Sequence, residues 1–218
     1  MSFNIESIEA SVSEARSKGK KRKIKFKQSF DIAVSFRKKE LDVSKPENRI
    51  NQELVLPNAL YPPAKVCAFG DGDFAKNAKA AGVQHVVSKE DIPKIGGEKK
   101  ERKSLAKTYD FFIASVDSMP LVGRYLGQAL GPRGKMPKPF PPQADLAPIV
   151  GQYQRTVRLK MKSTPTFHAK VGHEKMSNKE VADNIVAVLS FIDGQDLLGK
   201  LSSIVVKLTM GPPVPVSI

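Results

Sequence analysis

The run Phe111-Phe112-Ile113-Ala114-Ser115-Val116 offers no polar face to water. A strand of this kind must be covered on both sides, the condition of strands in a parallel sheet sandwiched between helices. Its surroundings repeat the theme. Lys65 to Phe69 is a compact apolar strand, Gly70-Asp71-Gly72-Asp73 turns into an alanine-rich helix through Ala81, and His85-Val86-Val87 is a further short strand. Strand and helix alternating along the chain predict a layered α/β domain with parallel pairing.

Both ends of the chain follow a different rule. Phe30, Ile32, Val34 and Phe36 alternate with Asp31, Ala33, Ser35 and Arg37, and Ile50 to Leu56 forms a second strand that stops at Pro57. Near the other end Val157, Leu159 and Met161 alternate with charged residues, as do Phe167, Ala169 and Val171 with His168 and Lys170, followed by Ile204, Val206, Leu208 and Met210. Period-two patterning of this kind predicts half-buried strands with one apolar face. Two helices are expected to cover that face. One is amphipathic, with Ile5, Ile8, Val12 and Ala15 at helical spacing; the other carries a Ser177/Glu180 capping-box signature before Val181, Ile185, Val188, Leu189 and Ile192. A helix near residues 143–151 closes the middle, and Glu98 to Lys103 reads as a solvated helix face or loop. Residues 1–63 and 156–218 are therefore expected to form one discontinuous α+β domain, with residues 64–155 inserted into it as an α/β domain on a double connection that permits hinge motion.

Charge narrows the partner. The 218 residues hold 36 Lys and Arg against 22 Asp and Glu, a net +14, which favours a polyanion: nucleic acid or an anionic membrane surface. The first helix is acidic, which argues against the membrane, and no apolar run approaches the ~20 residues that span a bilayer. With 7% aromatics and no Trp, contacts to phosphate and sugar are expected rather than a base-stacking platform. Net charge is +6 over the 92 inserted residues and +8 over the other 126, so charge does not say which domain binds.

The motifs that invite catalysis fall short. Gly70-Asp71-Gly72 follows a strand and opens a helix, the setting of a dinucleotide fingerprint, but position 75 is Ala and Asp71 and Asp73 would repel a pyrophosphate. A nucleotide-dependent enzyme built on that turn is the alternative reading, which calorimetry with ATP, NAD and S-adenosylmethionine discriminates. The segment from Leu130 to Pro137 resembles neither a phosphate loop, since Met136 stands where a metal-binding hydroxyl belongs, nor a GxxG RNA clamp between helices, since four prolines follow. One cysteine, Cys67, and three histidines, His85, His168 and His173, show no metal-ligand spacing. Neither a cofactor nor a metal is expected. The strand end Lys207-Leu208-Thr209-Met210-Gly211-Pro212 combines a hydroxyl, a flexible apolar side chain and a glycine permitting close backbone approach; its residues suit either a ribose contact or a plain strand terminus with a proline stop.

Taken together, Ser29-Phe30-Asp31, Leu130-Gly131-Pro132-Arg133-Gly134-Lys135-Met136-Pro137, Phe167-His168-Ala169-Lys170-Val171-Gly172, Ala182-Asp183-Asn184-Ile185 and Thr209-Met210-Gly211-Pro212 resemble the large-subunit ribosomal protein L-one family over essentially the whole length. The stretch from Ser44 to Pro57 is most similar to the archaeal branch; Lys135 stands where the bacterial pattern has a bulky apolar residue. The resemblance implies a discontinuous two-layer α+β RNA-binding domain with an inserted Rossmann-like, three-layer α/β domain, in a cytoplasmic ribosomal protein that is not an enzyme. It implies a primary rRNA-binding protein of the mobile stalk that assists release of deacylated tRNA from the exit site and represses translation of its own mRNA. The implied partners are the large-subunit rRNA stalk helix, that mRNA and exit-site tRNA, with no membrane, and a monomer when free. The implied RNA contacts are Phe30, His168, Lys170, Gly172, Ser203, Thr209, Met210 and Gly211, with the first helix and the basic segment Lys18 to Lys27, chiefly Lys25 and Lys27, contributing.

Overall fold

The computed structural model describes residues 3–20, 24–43 and 45–216; Lys21, Arg22, Lys23 and Ser44 of the stretches singled out above lie outside them. In chain order the elements are α1 (Ile5–Lys20), β1 (Ser29–Phe36), β2 (Asn51–Val55), β3 (Val66–Phe69), α2 (Gly72–Ala80), β4 (His85–Val87), α3 (Asp91–Gly97), α4 (Lys99–Thr108), β5 (Phe111–Ser115), α5 (Met119–Leu130), β6 (Lys138–Phe140), α6 (Ala147–Tyr153), β7 (Thr156–Lys160), β8 (Thr166–His173), α7 (Asn178–Asp193), β9 (Leu201–Leu208) and β10 (Val214–Pro215). The chain divides into two compact units, Met1–Tyr61 with Arg155–Ile218, and Pro62–Gln154. The expected boundaries at 63/64 and 155/156 lie two residues and one residue from these.

The first unit is built on a four-stranded antiparallel sheet, order β10-β9-β1-β8. Alternation decides its faces. Phe30, Ile32, Val34 and Phe36 of β1 are buried, with Phe167, Ala169 and Val171 of β8 and Ile204, Val206 and Leu208 of β9, in one core with Ile8, Val12 and Ala15 of α1 and Val181, Ile185, Val188, Leu189 and Ile192 of α7. Ile5, expected in the apolar stripe, is instead 44% exposed at the first turn of α1. The α7 start is fixed as the sequence predicts: the Glu180 N–H donates to Ser177 Oγ at 3.2 Å and the Ser177 N–H donates to Glu180 Oε2 at 2.7 Å. A two-stranded antiparallel ribbon, β2 with β7, joins the same core through Ile50, Leu56, Val157 and Leu159.

The second unit has an all-parallel sheet, order β4-β3-β5-β6. Cys67, Phe69, Phe112 and Ala114 point into a core with α3, α4 and α5; Val66, Ala68, Phe111 and Ile113 point into another with α2 and α6. The continuous apolar strands are thus buried on both faces, giving three layers. One element was not expected. The proline-rich segment after Met136 supplies β6, a three-residue strand at the sheet's edge, where Pro139 costs no ladder bond on its outer side. The charged run from Glu98 is the solvated face of a helix, as expected: it caps and opens α4, which buries Leu105 and Ala106 against the body.

Candidate nucleic-acid interface

The face of the first unit's sheet opposite the helices carries Ser29, Asp31, Ala33 and Ser35 from β1, Thr166, His168 and Lys170 from β8, and Ser203, Val205 and Lys207 from β9. Register places Asp31 between Lys170 and Lys207, Ala33 between His168 and Val205, and Ser35 between Thr166 and Ser203. Among the expected contacts, His168 and Ser203 are exposed here and Lys170 is half-buried. Lys170 Nζ donates to the Tyr61 carbonyl at 3.0 Å, and Lys207 Nζ to the Thr209 carbonyl at 3.4 Å. Burial raises the Asp31 pKa above the usual carboxylate value, against the opposing pull of Lys207, Lys170 and His168.

At one end of this face three distant segments are tied together by Gln28, whose side chain is buried. Its N–H donates to Glu174 Oε2 at 3.1 Å, its carbonyl accepts from the Glu174 N–H at 3.0 Å, and its Oε1 accepts from the Met210 N–H at 3.0 Å. The result is a cleft of about 480 Å³ lined by Ile24, Lys25, Phe26, Lys27, Gln28, Glu174 and Lys175. Lys25 and Lys27 are exposed beside it, as is Phe26 at 53%. The Lys175 ammonium, in hydrogen-bonding range, pushes the Lys27 pKa down, with burial adding slightly and Glu174 opposing. Two cations held this close attract an anion more strongly than either alone. Lys175 also lies 4.9 Å from the Tyr61 ring centroid, and the His173 ring meets Tyr61 edge-on at 4.9 Å.

The Thr-Met-Gly turn sits against the same assembly. The Thr209 hydroxyl accepts from the Ser29 N–H at 3.1 Å and donates to the Ser29 carbonyl at 3.3 Å, so its proton serves the protein and a lone pair remains for a ligand donor. Met210 is 47% exposed. Gly211 is half-buried, and a Cβ on it would stand 3.3 Å from Gly19 Cα of α1, so its missing side chain answers helix packing as well as any ligand.

Two of the expected contacts lie on the core side of the sheet. Phe30 is fully buried and Gly172 is buried as well. A register shift at Phe30/Asp31 sets Gly172 opposite Phe30 on the core side, where a Cβ would stand 2.7 Å from Val181 Cγ2 of α7. Neither presents a side chain to a ligand. The Phe30 ring instead supports Arg16, whose guanidinium carbon lies 5.2 Å from the ring centroid. Arg16 donates to Asn178 Oδ1 at 2.9 Å, the Glu174 carbonyl at 2.7 Å and the Met176 carbonyl at 2.6 Å, which fixes the loop that presents Lys175. Gln28, Glu174, Lys175, Tyr61 and Arg16 were not singled out from sequence, because no local pattern marks bonds between residues 146 or 182 positions apart.

In the second unit the glycine turn after β3 is explained by its own packing. A Cβ on Gly70 would stand 2.6 Å from Phe74, Gly72 has φ +60°, and Asp71 Oδ2 accepts from the Lys89 N–H at 3.0 Å. The Gly131–Lys135 loop closes α5, with the Lys135 N–H donating to the Leu130 carbonyl at 3.0 Å and Gly134 at φ +68°. Lys135 Nζ donates to the carbonyls of Ala106 and Tyr109 at 3.1 and 2.6 Å, covering the end of α4, while its stem fills the place of an apolar side chain. The described residues hold no cluster of His, Cys, Asp or Glu suited to a metal, and no described helix is long and apolar enough to cross a membrane.

The model of the ribosomal protein L1p/L10e family matches residues 15–212. The chain belongs to that family. It is 44% identical over 213 residues to the large ribosomal subunit protein uL1 of Methanocaldococcus jannaschii, covering 97% of this chain and 95% of that one. It is 42% identical over 219 residues to uL1 of Pyrococcus abyssi (99% and 98% covered) and 44% identical over 212 residues to uL1 of Thermofilum pendens (97% and 93% covered). Family membership makes it a large-subunit ribosomal protein of the archaeal type, a component of the ribosome. The family match takes in every residue that lines the cleft.

Proposed function

We propose that the protein is a primary rRNA-binding protein of the large-subunit stalk, gripping a structured, internally looped RNA helix with its discontinuous unit. The observation that carries this is the Gln28 junction, which sets Lys25, Lys27 and Lys175 around one cleft and ties the Met210 backbone to it. Lysines there neutralise phosphates and release counterions, so affinity falls steeply with salt. Exposed His168, Ser203 and Met210 and the Thr209 lone pair address sugar and base edges, supplying selection for one RNA fold. The inserted unit, joined by two chain crossings, is free in this reading to swing while the first stays bound, as a stalk that helps deacylated tRNA leave the exit site requires. The same surface, meeting a similar fold in its own mRNA, represses translation. The protein acts as a monomer when free.

Footprinting on large-subunit rRNA tests the reading. One protected structured region is expected, and Met210→Asp should weaken its binding by about 1–3 kcal/mol with the circular dichroism spectrum unchanged. Met210 is the better probe than Gly211, whose substitution also strains the contact with Gly19. Equal protection of arbitrary duplexes refutes the proposal.

A further inference from the structure

A carboxylate in the middle of a cationic RNA-facing surface demands an explanation. Asp31 lies on the central part of the open face, in register with Lys170 on one side and Lys207 on the other. It is half-buried, yet its carboxylate takes no hydrogen bond and makes no ion pair within 4.0 Å among the described residues. Hydrogen bonding within the protein does not account for it, and partial burial of an unbonded charge is unfavourable to folding. A polyanion laid on this surface would be repelled by it unless the RNA brings a donor to that point.

The strand order supplies the match. Neighbouring strands are about 4.8 Å apart, so β8, β1 and β9 set a cation, an anion and a cation in a row across the sheet. An RNA backbone crossing these strands presents phosphate, ribose and phosphate in the same sequence. The two lysines, on either side of the carboxylate in register, take the phosphates. The carboxylate faces the sugar, where the one donor is the 2′-hydroxyl. We infer that Asp31 is a specificity-determining residue that accepts a hydrogen bond from a ribose 2′-hydroxyl between two lysine-bound phosphates, so that the face rejects DNA and any RNA whose backbone does not cross there. This rests on the RNA-binding reading above and names one contact within it.

Interference mapping separates the two claims. In vitro transcribed large-subunit rRNA, carrying sparse 2′-deoxy-phosphorothioate substitutions, is bound by the full-length chain, and iodine cleavage of the bound fraction locates each hydroxyl that binding needs. Wild type is expected to show several such positions. Asp31→Ala should erase one of them and keep the others, while weakening binding of the unsubstituted transcript about 5- to 20-fold. Asp31→Asn, which preserves shape, should reduce the same position, and is decisive if the alanine variant fails to fold by circular dichroism. An identical map for wild type and the folded variants overturns the assignment and leaves the RNA-binding reading standing. Absence of any interference, with no selective binding by wild type, overturns the RNA-binding reading and this inference with it.

Discussion

Arg16→Ala is the perturbation whose magnitude the geometry sets best. The guanidinium donates to three acceptors at 2.6–2.9 Å and stacks on Phe30, all part-buried. A hydrogen bond from a charged group is worth about 1.5–3 kcal/mol when its partner stays buried, and about 0.5–1.5 when water replaces it. The acceptors here lie at the rim, so the lower range applies, giving about 3 kcal/mol with the cation–π contact included. For a unit of this size that is a fall of roughly 10 °C in melting temperature. Arg16→Lys keeps the charge but not the fork, and should lose about two-thirds as much. Far-UV circular dichroism followed on heating reads the discontinuous unit together with the inserted one; labelling of Cys67 isolates the second. That thiol is fully buried in β3 and burial pushes it up to about 12, so it reacts only when the inserted unit opens. The expected result is a lower first transition with unchanged Cys67 labelling. A melting temperature within about 1 °C of wild type, or labelling accelerated in step with the loss, refutes the assignment of Arg16 as a local clamp.

Lys135→Met keeps the side-chain volume but removes the ammonium from the α4 carbonyls, and should cost about 1–2 kcal/mol, read as roughly tenfold faster Cys67 labelling. His173 is held below the ordinary histidine value of 6.5, by burial first and then by Lys170, and its Nδ1 accepts from the Lys175 N–H at 3.2 Å. Its folded pKa lies below the unfolded one, so its contribution is present above 6.5 and is lost as pH falls through the folded value; His173→Phe should flatten that part of the stability–pH curve. Asp31 has the opposite sign: with its folded pKa raised above 3.8, its contribution is present below that value and lost as pH rises through the folded one. Asp31→Asn should therefore melt above wild type at neutral pH, with the difference closing in acid; a gap that widens in acid contradicts the assignment.

How far the sequence speaks depends on the range of the force involved. The half-buried strands and the capped α7 were legible because burial on one face imposes a period that adjacent residues report, and because the Ser177–Glu180 box is local. β6 was obscured by Pro137 and Pro139, which signal an interruption wherever they stand; that a parallel sheet's edge tolerates them is a fact of its neighbour β5, 25 residues earlier in register. The interface divides the same way. His168, Lys170 and Met210 were legible as candidates from chemistry and position, Ser203 only through the family resemblance; Phe30 faces inward by the strand's own alternation, and Gly172 because a register shift carries it toward α7. In the reading proposed above a motif's record is joint: some of its residues address the ligand and others hold those residues in place. Asp31 is inferred to be of the first kind, because burial disfavours its charge, no hydrogen bond answers it among the described residues, and only the pull of Lys207, Lys170 and His168 opposes that penalty. If an RNA hydroxyl supplies the donor that the protein does not, the Asp31→Asn variant should pair higher stability with poorer discrimination for 2′-hydroxyls; higher stability with unchanged discrimination would assign Asp31 to the fold alone.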